Sequence, residues 1–323
     1  MAILTKNIND AKAILDKGNL VAIPTETVYG LAAKAIDEKA VKKIFKTKGR
    51  PSNNPLILHF PNLDSIFPYI NSITKEVQLL ANAFWPGSLT LLLPKSDLVP
   101  EIITAGLPSV AVRVPNHPLT LQLLHQLDYP LAAPSANPSG YISPTNPSHV
   151  EKQLGTKIPM VLDGGNCKKG LESTILGWND KQEPTIYRQG VITKEDISAV
   201  LQKEVLINSP YSETLVAPGM LSSHYAPNTK TIISTNMDKD INQYQGLNLG
   251  VIKVHTSYQG GITIKKELVL STSNSLNEIA EKLYAAMHEL DSLQLDLILI
   301  EAVPNKGIGR AINDRLKRSA TEK

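Results

Sequence analysis

The chain has 323 residues, 42% hydrophobic and 20% charged, values that exclude wholesale disorder and call for a packed core of one large or two ordinary domains. A formal net charge of +3 suits the handling of anionic small molecules and does not by itself demand nucleic acid. Cys167 is the single cysteine, so an internal disulfide and a cysteine-based zinc site are excluded, and no leader-like or bilayer-length apolar run is found, so a cytoplasmic protein without membrane contact is expected.

In chain order, residues 9–17 read as a short helix, with Asn9 or Asp10 near its N-cap and Gly18 ending it. Residues 20–23 read as a strand entering the Pro24 turn. Residues 38–47 place Val41, Ile44 and Phe45 at helical spacing with lysines opposite. A strand is predicted at 55–60, a helix at 76–85 stopped by Pro86-Gly87, strands at 89–93 and 110–114, a helix at 119–127 and a short strand at 131–133. Further strands fall at 160–162, 173–176 and 185–187. Residues 193–201 close this part as a helix, with Thr193 as N-cap and Asp196 at N3.

Residues 208–229 carry Pro210, Pro218, Gly219 and Pro227 without a clear period and read as a long linker, a feature that is often functional. A smaller α/β unit follows, with strands at 231–234, 249–254, 267–270 and 295–300. Its helices are an amphipathic one at 275–290 and a basic one at 309–319.

Polar, small-residue segments recur at the strand ends, where α/β proteins place ligands. Thr25, Glu26 and Thr27 sit in the first turn, which also reads as a plain capped connection. Lys48 and Arg50 form a second candidate, as paired cationic donors for phosphate, whereas Lys42 and Lys43 read as a solvated face. Asn54 and His59 follow on the next strand. Arg113 stands alone in an apolar strand, and a buried guanidinium needs an anionic partner, either a protein carboxylate or a bound carboxylate ligand. Residues 133–143 supply hydroxyls and small residues that let a nucleotide approach the backbone, although they equally resemble a turn cluster. Residues 163–165 with 172–174, and Arg188, complete the candidates. No GxxxxGK[ST], early GxGxxG, GxSxG or HExxH motif is present. The residues alone therefore give an anion-handling α/β protein and stop there.

Six segments in order resemble the threonylcarbamoyl-AMP synthase family, which has the YrdC-like fold. They are PTETVYGLAAKA from Pro24, KGRPSNNPLILH from Lys48, FWPGSLTLLL from Phe84, SVAVRVPNHP from Ser109, APSANPSG from Ala133 and LESTI from Leu171. SSHYAP from Ser222 and GIGRAINDRLKRSA from Gly307 are similar to the linker and C-terminal end of the longer members. The resemblance implies a YrdC-like twisted mixed sheet with flanking helices over 1–207, a linker or lid over 208–230, and a small Rossmann-like α/β domain over 231–323. It implies that L-threonine, bicarbonate or CO2 and ATP become threonylcarbamoyl-AMP and pyrophosphate, with Mg2+ expected alongside ATP and the metal ligands unknown. The product would pass to a tRNA threonylcarbamoyl transferase complex, with direct tRNA contact possible.

Carried over position by position, Thr27, His59, Arg113, Ala133 and Ser173 look like the threonine site. Lys48, Arg50, Asn54, Ser109, Ser135, Ser143, Arg188 and Tyr225 look like the ATP site. The resemblance gives no protein nucleophile. Two rivals are an RNA-binding module of the same fold, with Lys42, Lys43, Lys46, Lys48 and Arg50 on phosphates, and a carbamoyltransferase using carbamoyl phosphate.

Overall fold

The computed structural model describes residues 1–208, 218 and 225–321. The chain begins with β1 (Ile3–Thr5), α1 (Ile8–Asp16), β2 (Val21–Ile23), β3 (Gly30–Lys34), α2 (Glu38–Lys48) and β4 (Ile57–His59). It continues through α3 (Lys75–Phe84), β5 (Leu89–Pro94), α4 (Glu101–Thr104), β6 (Ser109–Arg113), α5 (Pro118–His125), β7 (Leu131–Ala132) and α6 (Pro147–Leu154). Then come β8 (Met160–Leu162), β9 (Thr174–Trp178), β10 (Pro184–Arg188), α7 (Lys194–Leu201) and β11 (Leu206–Ile207). These strands form one mixed sheet in the order β1-β8-β2-β3-β7-β4-β6-β5-β9-β10-β11.

Local chemistry starts and stops the helices. The Asn7 side chain accepts from the backbone N–H groups of Asn9 and Asp10, and Asp37 does the same for Lys39 and Ala40 at the start of α2. Gly49 ends α2 at φ 63°, a left-handed conformation that glycine adopts without Cβ strain. Thr193 and Asp196 cap each other reciprocally at α7.

β1, β3, α4, α6, β11 and the helix Met237–Gln243 of the second unit were not foreseen, and two of them have a clear physical reason. Residues 30–34 (Gly-Leu-Ala-Ala-Lys) lack β-branched residues, yet they pair antiparallel with β2 and β7, so tertiary pairing overrides local preference. Residues 147–154 look like the tail of a turn cluster, but Asn146 accepts from His149 N and Pro147 occupies the first turn, which makes them a capped helix.

Register places the chemistry. β4 runs parallel to β6 with Ile57 opposite Ala111 and His59 opposite Arg113, so both polar side chains share one face at one strand end. β10 pairs antiparallel with β9 through a bulge, in which Ile186 faces Leu176 and Arg188 faces Ile175. The extra residue re-aims the end of β10, a device common beside functional sites.

The second unit contains β12 (Thr231–Ser234), α8 (Met237–Gln243), β13 (Leu249–Lys253), β14 (Lys266–Val269), α9 (Leu276–Asp291), β15 (Leu297–Glu301) and α10 (Gly309–Ser319). Its sheet is parallel, in the order β12-β15-β13-β14. The two units share apolar contacts: Val28, Ile142, Leu171 and Tyr225 pack in one cluster with Ile279, Leu283 and Ile312.

A pair of stacked imidazoles also crosses this junction. His149 of α6 and His288 of α9 have ring centroids 4.1 Å apart, and His288 Nε2 lies 3.2 Å from the Ser143 carbonyl. Burial, with the neighbouring imidazole and Lys152, lowers His149 to about 3. Burial lowers His288 to about 4 against the opposing pull of Ser143 and Asp291. The unfolded chain therefore binds more protons below the ordinary histidine value, so stability is present above about pH 6.5 and is lost as pH falls towards 4. His288→Asn should lose about 2 kcal/mol less than wild type between pH 7 and pH 5, measured from urea midpoints at the two pH values.

Candidate active site

A cleft with about 570 Å³ of atom-free space, counting its mouth, opens where β4, β6 and β7 end. It is lined by Thr25, Thr27, Val28 and Gly30 from the β2–β3 turn, by Arg50, and by Pro55, Leu56, Ile57 and His59. Arg113, Ala133, Pro134, Ser135, Glu172, Ser173, Arg188, Pro218 and Tyr225 complete the wall. Gly30 bridges to Ser135, and a Cβ on Gly30 would come within 3.2 Å of Ala133 Cβ, so a small residue is needed where these backbones meet.

At one end stands Arg113, 4% exposed. Its Nε donates to Gly87 O at 3.0 Å, and its Nη2 donates to Glu26 Oε1 at 2.6 Å and to Thr27 Oγ1 at 3.1 Å. Glu26 is thus the protein carboxylate that a guanidinium in an apolar strand requires. Burial raises Glu26, but the Arg113 charge and the donors from Ser88 and Asn116 outweigh it and hold the carboxyl below its ordinary value. The Thr25 hydroxyl donates to Val28 O at 2.6 Å and lies 2.8 Å from Thr27 Oγ1, which fixes both threonines within the turn. His59 is lowered to about 3 by burial and by the Arg113 charge, so its imidazole is neutral at pH 7.

The other end is more cationic. Arg50 donates to Asn54 O, Asn54 Oδ1 and Pro55 O at 3.1, 2.5 and 2.7 Å. Arg188 donates to Ser173 O, Ser173 Oγ and Pro218 O. Both are buried, at 8% and 9% exposure, and neither makes an ion pair with a carboxylate among the described residues. Burial and the Arg188 charge push Arg50 down to about 10, and burial likewise lowers Arg188. Lys48, also buried, donates from Nζ to Ser135 O and Asn137 O, and its ammonium lies well below the ordinary lysine value, first through desolvation and then through Arg50. The Asn54 Nδ2 group is a buried donor with no acceptor among the described residues. Uncompensated buried cations are costly, so this end is built for an anion with several oxygens.

The far wall, formed by Glu172 and Tyr225, is braced from behind by the second unit. Glu172 accepts from Ser143 Oγ at 2.7 Å, Arg315 Nε at 2.8 Å and Tyr284 OH at 3.1 Å. Tyr225 has a positive φ of 64°, stacks 5.7 Å from Tyr284 and carries the Arg315 guanidinium 4.9 Å from its ring centre.

Of the thirteen residues singled out by resemblance, Thr27, His59, Arg113, Ala133 and Ser173 line the cleft together, as do Arg50, Ser135, Arg188 and Tyr225. Lys48, Asn54 and Ser143 lie behind the lining, holding the 135–137 turn, Arg50 and Glu172. Ser109 opens β6 opposite Pro94 and is not a lining residue. Most of the linker, including Ser222, Ser223 and His224, lies outside the described residues.

Glu172 fell within the 172–174 candidate segment without a role assigned to it, and sequence reasoning missed Thr90, Tyr284 and Arg315 as contributors. Thr90 Oγ1 lies 2.7 Å from Ser173 Oγ. Arg315 had a readable signal: it falls on the stripe of Ala311, Ile312, Leu316 and Ser319 that α10 buries. The RNA-surface reading fails for Lys48 and Arg50, which are buried, although Lys42, Lys43 and Lys46 are exposed. Among the described residues no three His, Cys, Asp or Glu side chains gather as a metal cluster. Glu26 and Glu172 are spent on Arg113 and Arg315. These donors do not fit a resident metal ion, and a divalent cation fits only as a passenger on a polyphosphate.

The Sua5/YciO/YrdC family model, which carries the description telomere recombination, matches residues 13–190. The model for the threonylcarbamoyl-AMP synthase C-terminal domain matches residues 192–321. Threonylcarbamoyl-AMP synthase of Bacillus subtilis is 40% identical over 97% of this chain and 92% of its own length. That of Pyrococcus abyssi is 38% identical over 97% and 94%. The crystal structure of P. abyssi Sua5 complexed with L-threonine superposes with a TM-score of 0.91 at 38% identity, covering 99% of this chain and 97% of that one. No helix among the described residues is long and apolar enough to cross a membrane. Matched along both units, the chain belongs to the Sua5/YciO/YrdC family, in its two-domain threonylcarbamoyl-AMP synthase form.

Proposed function

We infer that this protein is an L-threonylcarbamoyladenylate synthase, a nucleotidyltransferase that forms threonylcarbamoyl-AMP and pyrophosphate from L-threonine, bicarbonate or CO2, and ATP. One observation carries the reading: a single cleft holds a carboxylate-paired guanidinium at one end and two guanidiniums without carboxylate partners at the other. The amino acid's acid group goes to Arg113, beside Thr27 and His59. The triphosphate goes to Arg50 and Arg188, with Lys48 and Asn54 behind them.

In this chemistry the threonine amine attacks the carbon of CO2 and releases a proton, or attacks that of bicarbonate, whose hydroxyl takes up the amine proton and leaves as water. The resulting carbamate oxygen attacks the α-phosphorus of ATP. The bond to the β-phosphate oxygen breaks, and pyrophosphate leaves with its electron pair. No side chain forms a covalent bond, so the protein contributes positioning and charge. Arg50 and Arg188 face the charge that builds on the leaving oxygens. The buried Tyr225 covers the cleft and keeps water from the mixed anhydride. Mg2+ enters as the metal complex of ATP, since the carboxylates of the cleft are already committed. The product then serves a tRNA threonylcarbamoyl transferase complex, and the soluble small molecules are the substrates this chain itself must hold.

Pyrophosphate release from ATP should require threonine and bicarbonate together; release independent of threonine would remove the reading. A carbamoyltransferase would instead turn over carbamoyl phosphate. Arg113→Ala should reduce threonine-dependent release at least a hundredfold while leaving the far-ultraviolet circular dichroism unchanged. Arg188→Met should separate the two ends of the cleft. Millimolar pyrophosphate should raise the wild-type Tm and barely move that of the variant, because a ligand stabilises only the state that binds it. Threonine should still shift both.

A further inference from the structure

Glu26 has no part in the reaction as written. It is nonetheless held by three donors from two separate segments: Arg113 Nη2 at 2.6 Å and Ser88 Oγ at 2.8 Å on Oε1, and Asn116 N at 3.0 Å on Oε2. Its own carbonyl accepts from Lys169 N at 2.8 Å, which ties the turn to a third segment. On the guanidinium side, Nε is committed to Gly87 O and Nη2 to Glu26 and Thr27. Nη1 is the nitrogen of Arg113 with no hydrogen bond among the described residues, in a side chain that lines the cleft.

We propose that Glu26 is a positioning residue for the amino-acid substrate: it locks Arg113 so that Nη1 alone is offered to the carboxylate, and its negative charge limits how tightly that carboxylate is held. This rests on the reading of Arg113 as the partner of the substrate's acid group. A free guanidinium grips a carboxylate through two parallel N–H bonds. Here Nη2, the nitrogen whose N–H would run parallel to that of Nη1, is occupied, and the other edge is closed because Nε is spent on Gly87 O, so the contact is single-pronged. The Glu26–Arg113 pair is also close to neutral as a unit, and attraction to the nearer cation is offset by repulsion from the carboxylate behind it. Binding energy that is equal in the ground state and the transition state does not speed the chemical step, so a restrained grip costs little in turnover.

The test is calorimetric titration of the full chain with L-threonine, using L-threoninamide as the uncharged control, together with steady-state kinetics. Glu26→Gln keeps an acceptor for Arg113 and removes the charge. Its threonine Kd should fall at least threefold while that of threoninamide stays within twofold. Its ligand-free Tm should fall, and its threonine-induced rise in Tm should exceed that of wild type. Glu26→Asp keeps the charge but withdraws it by one methylene. Its threonine KM should rise at least tenfold with the ATP KM within twofold, and this variant carries the test alone if Glu26→Gln does not fold. Threonine binding to Glu26→Gln no tighter than to wild type would overturn the charge role. A Glu26→Asp threonine KM that is unmoved, or that rises only in step with the ATP KM, would overturn the positioning role. If Arg113→Lys binds threonine as wild type does, the carboxylate site itself is misassigned, a failure separate from that of Glu26.

Discussion

Buried positive charge is the constraint around which this molecule is organised. Arg50, Arg113, Arg188, Lys48 and Arg315 are all less than a tenth exposed, and only Glu26 and Glu172 stand beside them as buried carboxylates. Isolated cations in a protein interior cost several kcal/mol each even after relaxation. Two of the five, Arg113 and Arg315, have a buried carboxylate at ion-pair distance. Among the described residues the remaining three are solvated by carbonyl, amide and hydroxyl oxygens without a carboxylate at ion-pair distance, so the ligand-free protein carries an electrostatic debt that a polyanion would relieve.

The fold meets this constraint with rigid parts. Arg113 sits in β6 between β4 and β5, where the ladder leaves its backbone no freedom. Arg188 is aimed by the bulge in β10 and clasped by both the carbonyl and the hydroxyl of Ser173. Arg50 follows the left-handed Gly49 that ends α2, and its guanidinium is bonded back to the next turn at Asn54 and Pro55. In each case the donors are pre-oriented, so little reorganisation would remain on meeting an anion.

Much of this was legible in the sequence, for reasons that differ by element. Helices with a capping residue and an apolar stripe, such as Thr193 before α7 and Ser275 before α9, declare themselves locally. β3 does not, because its Ala-Leu-Lys composition favours a helix and only pairing with β2 and β7 decides otherwise. Arg113 announced a need for an anion but not which one, since a side chain in a strand carries no record of what folds against it. Its partner, Glu26, was visible in the polar turn after β2, yet the contact spans 87 residues and depends on the sheet order. Arg315 was harder still, because its role appears only when α10 of the second unit lies against Glu172 of the first.

That last contact makes the second unit more than an appendage. Tyr225 is held at a positive φ, which costs a tyrosine on the order of 1 kcal/mol. It persists because the residue is clamped from the outside: Tyr284 of α9 stacks on its ring and Arg315 of α10 lies over it. The same two side chains donate to Glu172, the one carboxylate in the cleft lining. Glu172 already feels the Arg188 charge, and without Arg315 more of its own charge would be left to that guanidinium. By holding Glu172 in an ion pair of its own, the second unit limits that competition, while the tyrosine it braces lines the cleft.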